Sequence, residues 1–260
     1  MKIPIYQVDA FTNQIFGGNP AAVCLLNYWL EDKIMQNIGA ENNLAETAFL
    51  VKKEDFYEIR WFTPKIEVDL CGHATLASAH VLFNHIGIEG DKVKFKTTHH
   101  GMLSVTISGD LLTLDFPASE PIQSKITDEL LNGLGKTPQA AFKTRDLLAI
   151  FETEEDILNI NPNFEALKKL DQLGVIVSAP GNTSDFVSRF FAPNAGINED
   201  PVTGSAHTTL IPYWAKRLAK NKMHAFQLSE RKGELFCELN GKRAMISGKA
   251  KTFLIGDIFI

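Results

Sequence analysis

A chain of 260 residues holds one or two ordinary domains and can bury a sizeable core. Its composition, 45% hydrophobic and 22% charged, is that of a globular protein rather than a disordered or membrane-embedded one. With a net charge of -5 and lysines and arginines scattered singly, it offers no basic stripe for nucleic-acid phosphates or anionic lipid, so a small molecule is the expected partner.

In chain order, MKIPIYQVDAFT reaches Asp9 without a long apolar core or a small-residue cleavage site, which predicts a first strand rather than a signal peptide. Strands are expected over residues 3–9, 21–25, 47–52, 57–62, 93–97, 103–108 and 111–116, each rich in β-branched or aromatic residues and bounded by turn formers. SVTISGDLLTLDF alternates around Gly109-Asp110, a tight-hairpin composition, and Pro117 ends the run. A boundary follows near residues 116–123, giving an N-terminal lobe over 1–117 and a C-terminal lobe over 118–260, with the last strand allowed to return to the first lobe. Helices are expected over 30–40 and after Gly72. In the second half the reading is a strand at 146–152, a helix over 163–170, strands at 175–178 and 185–191, a helix after Gly204, and C-terminal strands. No run approaches the ~20 apolar residues of a membrane span. Cys24, Cys71 and Cys237 are far apart, odd in number and without CxxC spacing. That pattern fits a reducing, cytoplasmic setting and argues against structural zinc.

A faint internal repeat crosses the boundary. IRWFTP leads through an acidic loop to CGHATLASAHVL, and VSRFFAP leads through another to TGSAHTTLIPYW. Each copy runs aromatic strand, proline (Pro64 or Pro193), acidic residue (Asp69 or Asp200), glycine (Gly72 or Gly204), then an apolar helix. HATLASAHVLFNHI is apolar or small on nearly every face, as is SAHTTLIPYWAKRLA, where Pro212 is expected to kink the helix; such helices are buried all round. The unpaired first-turn N–H groups of a buried helix need an anion, a cap or water. A bound carboxylate would satisfy them next to Gly72-His73 and Gly204-Ser205; equally, Thr203, Ser205 or His73 could cap their own helices.

Glu46, in NNLAETAFLV, has mostly apolar neighbours, a setting for a general acid or base if the side chain turns inward and an ordinary edge glutamate if it turns out. Cys71 and His73, separated only by Gly72, make an awkward nucleophile and base. His73 could instead share a proton with a carboxylate. Asp200, before Pro201, is a turn former or a partner of the second helix start. The remaining histidines form no HxH or HExxH pattern, so no metal is expected and they read as surface or helix residues.

The ordered segments VDAFTNQIFGGNPAAV, LAETAFL, IRWFTPKIEVDLCGHAT, FFAPNAGINEDPVTGSAH and ISGKAKTFLIG resemble the PhzF-like isomerase family of phenazine biosynthesis, relatives of diaminopimelate epimerase, across essentially the whole chain. The resemblance implies an α+β fold of two pseudo-symmetric lobes, each a β-barrel-like sheet wrapped around a central helix, with substrate between the lobes and a homodimer as the assembly. By the same resemblance the catalytic glutamate falls on Glu46, the active-site histidine on His73, and the aspartate and serine on Asp200 and Ser205. Gly72 and Gly204 then carry the substrate-holding amides. Of the two cysteines the related epimerase uses, one position matches Cys71 and the other Asp200, so the two-thiol pair is broken. The expected activity is cofactor-independent, acid-base isomerisation of a small carboxylated metabolite. The alternatives are an amino-acid epimerase or racemase using Cys71 with Asp200 or Glu46, and a catalytically silent binding relative.

Overall fold

The computed structural model describes residues 1–260 and divides them into two compact units: residues 1–115 with 247–260, and residues 116–246. None of its helices is long and apolar enough to cross a membrane.

Unit 1 contains β1 (Lys2–Ala10), β2 (Asn19–Leu26), α1 (Asp32–Asn42), β3 (Glu46–Lys52), β4 (Tyr57–Phe62), the short β5 (Glu67–Val68), α2 (Gly72–Val81), β6 (Lys92–Lys96), β7 (Met102–Ser108) and β8 (Leu111–Pro117), which runs into the boundary. β3 pairs in parallel with β2 and antiparallel with β4. Five of its seven residues are buried, as in strands covered on both faces. β6, β7 and β8 form an antiparallel meander with buried and exposed residues alternating in β6. The hairpin closes at Gly109, φ 62°, with Ser108 opposite Leu111, as the sequence indicates. α2 packs against β1, β2 and β3, and buries His73 through Ala79 without a break. Its hydroxyls are satisfied inside the helix: Thr75 Oγ1 donates to Cys71 O and Ser78 Oγ to Ala74 O. α1 lies two residues later than residues 30–40. It ends at Asn43, whose left-handed conformation (φ 48°) returns its N–H to Gly39 O.

Unit 2 contains β9 (Ile122–Ser124), α3 (Asp128–Leu134), β10 (Ala140–Lys143), β11 (Leu147–Ile150), α4 (Glu154–Leu158), α5 (Phe164–Leu167), β12 (Val175–Pro180), β13 (Phe186–Ala192), β14 (Ile197–Glu199), α6 (Gly204–Leu218), β15 (Lys222–Gln227), β16 (Gly233–Asn240) and β17 (Arg243–Gly248), whose end crosses the boundary. β11 and β12 pair in parallel, as do β13 and β15, while β12–β13 and β15–β16 are antiparallel. α4 starts in a capping box between Thr153 and Asp156. The helix expected over 163–170 is only α5. Asn163 caps it, and the chain tightens after Leu167, where Lys169 N bonds Ala166 O. α6 passes through Pro212 as one continuous helix and packs on β15 and β16. It is fixed inside by Trp214, whose Nε1 donates to buried Ser178 Oγ while its ring stacks on Phe186. The last strand, β18 (Ala250–Phe259), belongs to unit 1, where it pairs antiparallel with β1.

Candidate functional site

Three strand and helix starts meet in unit 1. Ala21 of β2 pairs with Glu46, the first residue of β3, so the beginnings of these parallel strands lie side by side. Asn19 opens β2 and the α2 start faces both. The Glu46 side chain is 12% exposed and its Oε2 lies 3.1 Å from His73 Nε2, so it turns inward rather than to solvent. His73 is 5% exposed by side chain, and its other nitrogen, Nδ1, lies 3.1 Å from the Asn19 amide nitrogen.

The Cys71 sulfur lies 3.5 Å from His73 Nδ1 and 4.0 Å from Nε2, closer than the Gly72 spacing suggests. Extended backbone at Cys71 (φ -140°) folds its side chain back onto the ring. Burial first, and the Glu46 carboxylate second, push the thiol up to about 11, so it stays protonated at neutral pH. Burial of His73 works against charge, but the Cys71 sulfur and the Glu46 carboxylate outweigh it and hold the ring well above the usual imidazole value. Since the thiol is protonated, the carboxylate is the physical cause of that rise at neutral pH. The result is a buried imidazole–carboxyl pair in direct contact, placed to hold and pass a proton.

In unit 2 the segment from Asp200 to Ser205 is organised around α6. Thr203 Oγ1 donates to Asp200 Oδ2 instead of capping the helix. Ser205 Oγ accepts from Arg145, which also contacts buried Asp146 at 3.3 Å. Thr203 therefore does not cap α6 through a side-chain hydrogen bond, and Cys71, the N-cap residue of α2, makes none either. Fully buried Gln227 clamps the turn: its Oε1 accepts from Thr203 N at 2.9 Å, and its Nε2 donates to Asp200 O at 2.8 Å and Thr203 Oγ1 at 3.1 Å. His207 is not a surface residue. It is fully buried, with Nδ1 2.8 Å from Thr203 O, and burial holds its pKa down to about 4.

Glu46 and His73 are thus in direct contact, and Asp200, Gly204 and Ser205 gather at the second helix start. Asn19, Gln227 and Arg145 are additions to the expected site residues; Asn19 lies within the VDAFTNQIFGGNPAAV segment, whereas Gln227 and Arg145 lie outside every segment that carries the resemblance. Glu46, Cys71 and His73 also place a carboxylate oxygen, a sulfur and an imidazole nitrogen within 4.8 Å of one another. No sequence spacing announces that set, because β3 supplies one donor and the α2 start the other two.

Two mixed α+β units, each with a buried helix against its strands and an ionisable cluster at that helix's start, define a fold of the diaminopimelate epimerase and PhzF class. The sequence matches the phenazine biosynthesis-like protein family over residues 8–256. An uncharacterized isomerase of Pseudomonas aeruginosa is 49% identical over 260 residues, spanning 100% of both chains. The crystal structure of a PhzF-family protein from Enterococcus faecalis matches with a TM-score of 0.98 at 48% identity, over 100% of each chain. At the level of fold alone, a hydroxyproline epimerase from Agrobacterium vitis, crystallised with trans-4-hydroxy-L-proline, gives a TM-score of 0.67 at 13% identity, covering 99% of this chain and 92% of that one. The chain belongs to the PhzF family of phenazine biosynthesis-like proteins.

Proposed function

We propose that this protein is a cofactor-independent isomerase that moves a proton between carbons of a small carboxylated metabolite, with Glu46 as the acid-base group. The observation that carries this reading is the buried Glu46–His73 contact at 3.1 Å. In the forward step a substrate C–H bond breaks and its proton passes to the Glu46 carboxylate; the same carboxyl then returns a proton to a different carbon, leaving a shifted double bond. His73 holds the carboxylate in place and balances its charge before the first transfer and after the second. Gly72-His73 amides at the α2 start bind a substrate carboxylate. Gly204, Ser205 and Asp200 are proposed to bind or relay at the substrate's other polar groups, as the family resemblance implies. The protein is proposed to act in the cytoplasm as a homodimer, a reading supported by that resemblance and by three free cysteines.

An epimerase using Cys71 is the competing reading, because the fold also occurs in a hydroxyproline epimerase. A thiol held up at about 11 is poorly suited to serve as its base near neutral pH. Incubation of carboxylated metabolites and amino acids with the protein in D2O separates the two. The isomerase reading predicts deuterium together with a displaced double bond. Deuteration at the α-carbon with inversion, and no double-bond shift, would replace it with epimerisation.

A further inference from the structure

The two nitrogens of His73 face opposite chemistry. Nδ1 lies 3.1 Å from the amide nitrogen of Asn19, which carries two N–H groups and has no lone pair to offer. That amide therefore donates, and Nδ1 presents its lone pair. The Cys71 sulfur lies 3.5 Å from the same nitrogen. Burial first, and the Glu46 carboxylate second, hold the thiol up to about 11, so it supplies no thiolate to draw a proton to Nδ1. Nε2 faces an acceptor instead, Glu46 Oε2 at 3.1 Å. A donor on one side and a carboxylate on the other select the ring with its proton on Nε2, because the hydrogen bond made by one imidazole nitrogen sets the state of the other. Burial, the largest single influence on the ring, opposes a second proton, and on Nδ1 that proton would meet the Asn19 N–H head on. Asn19 itself, at the head of β2, has no exposed surface, which keeps bulk water out of this bond.

We propose that Asn19 is a positioning residue that fixes the His73 proton on Nε2 and so keeps Glu46 ionised, ready to take the substrate proton. The opposite tautomer would set the Nε2 lone pair against Glu46 Oε2, two buried acceptors in contact. Only a proton on Glu46 relieves that clash, and a carboxyl group already protonated cannot serve as the base. With Oε2 turned to the ring, Oε1 is the oxygen that receives the substrate proton and returns it to a different carbon. The effect on turnover rests on the acid-base reading given above; the tautomer does not.

The test uses the full chain with its seven histidines labelled with the heavy nitrogen isotope, and NMR that correlates each ring nitrogen with the ring C–H protons. His73 is assigned by the signals lost in His73→Gln. At about pH 7 the expected pattern for His73 is a protonated Nε2 and a bare Nδ1. Asn19→Asp keeps the size of the side chain but sets a carboxylate, an acceptor, against Nδ1. In that variant Nδ1 should be protonated, and deuterium exchange into saturating substrate should fall by at least about 10²-fold, the scale of a lost acid-base group or a mis-set catalytic imidazole. A merely structural asparagine would alter the melting temperature and leave the two nitrogens as they were. A protonated Nδ1 in wild type, whether or not the variant folds, overturns the proposal, as does a bare Nδ1 in folded Asn19→Asp. A protonated Nδ1 in Asn19→Asp with exchange at the wild-type rate overturns the positioning role. If wild type shows the expected tautomer but Glu46→Gln exchanges as fast as wild type, the acid-base reading fails and the tautomer stands.

Discussion

His73 Nε2 and Glu46 Oε2 stand 3.1 Å apart with both side chains almost wholly removed from solvent. At that separation an imidazole and a carboxyl group can share a proton away from bulk water. The neighbouring thiol is a bystander in proton transfer, because burial and the same carboxylate hold its proton on.

On the proposed division of roles, Cys71 is expected to be dispensable for turnover. Cys71→Ala is expected to isomerise substrate within a factor of about 3 of wild type, against the ~10²–10⁴ typical of losing a general acid-base group. Steady-state kinetics on the two proteins decide it. A loss of that larger size would move the proton-carrying role to the thiol.

The loop before Asn19 sets where that residue meets His73. Gly18 has φ 59°, and a Cβ built on it would lie 2.1 Å from the backbone oxygen of Ala10. Gly18→Ala should therefore cost at least about 2 kcal/mol, from left-handed strain and overpacking together. The urea midpoint reads this directly; an unchanged midpoint would mean the loop can rearrange without strain.

His207 makes stability depend on pH. An unfolded histidine takes a proton near 6.5, whereas the folded chain resists until about 4. The contribution is whole above about pH 6.5 and is lost as pH falls toward 4, a change of about 3 kcal/mol. In His207→Gln, urea stability measured from pH 7 to pH 4 should fall less steeply than in wild type. Part of the slope remains, because His80 is also held to about 4, chiefly by burial and then by His85 and Lys251. Identical slopes would show that His207 does not titrate as burial dictates.

Much of this is legible in the sequence itself. Alternation around Gly109-Asp110 marks the β7–β8 hairpin, and the unbroken small and apolar residues after Gly72 mark a helix buried all round. Other features were not legible because their causes are not local. Glu46 sits at the head of a strand whose following five residues are all buried, so no alternation says which way it points. Gln227 grips Asp200 and Thr203 from a different strand, and no motif predicts that clamp. His207 shares a helix with Ser205 and reads like any polar helix residue, yet the side chains around it leave it no solvent at all. α1 runs two residues past its expected end because its stop depends on Asn43 adopting a left-handed turn.

The second helix start is tested through ligand protection. Malonate, a small dicarboxylate, is expected to raise the melting temperature of wild type, and a ligand at 100 times its Kd adds about 2.7 kcal/mol of stability. Gly204→Val, compared with its own malonate-free baseline, should lose that protection because a branched side chain blocks approach to the helix amides. Equal protection of both proteins would remove Gly204 from the substrate frame.

The central claim is that Glu46 carries the proton, and one measurement bears on it most directly. Wild type and Glu46→Gln are incubated in D2O with a carboxylated substrate that the wild type isomerises, and deuterium entering carbon is followed by NMR. The expected result is exchange and double-bond shift with wild type and a loss of at least about 10²-fold in Glu46→Gln, with the melting temperature and substrate affinity retained. Exchange by Glu46→Gln at the wild-type rate would contradict the account.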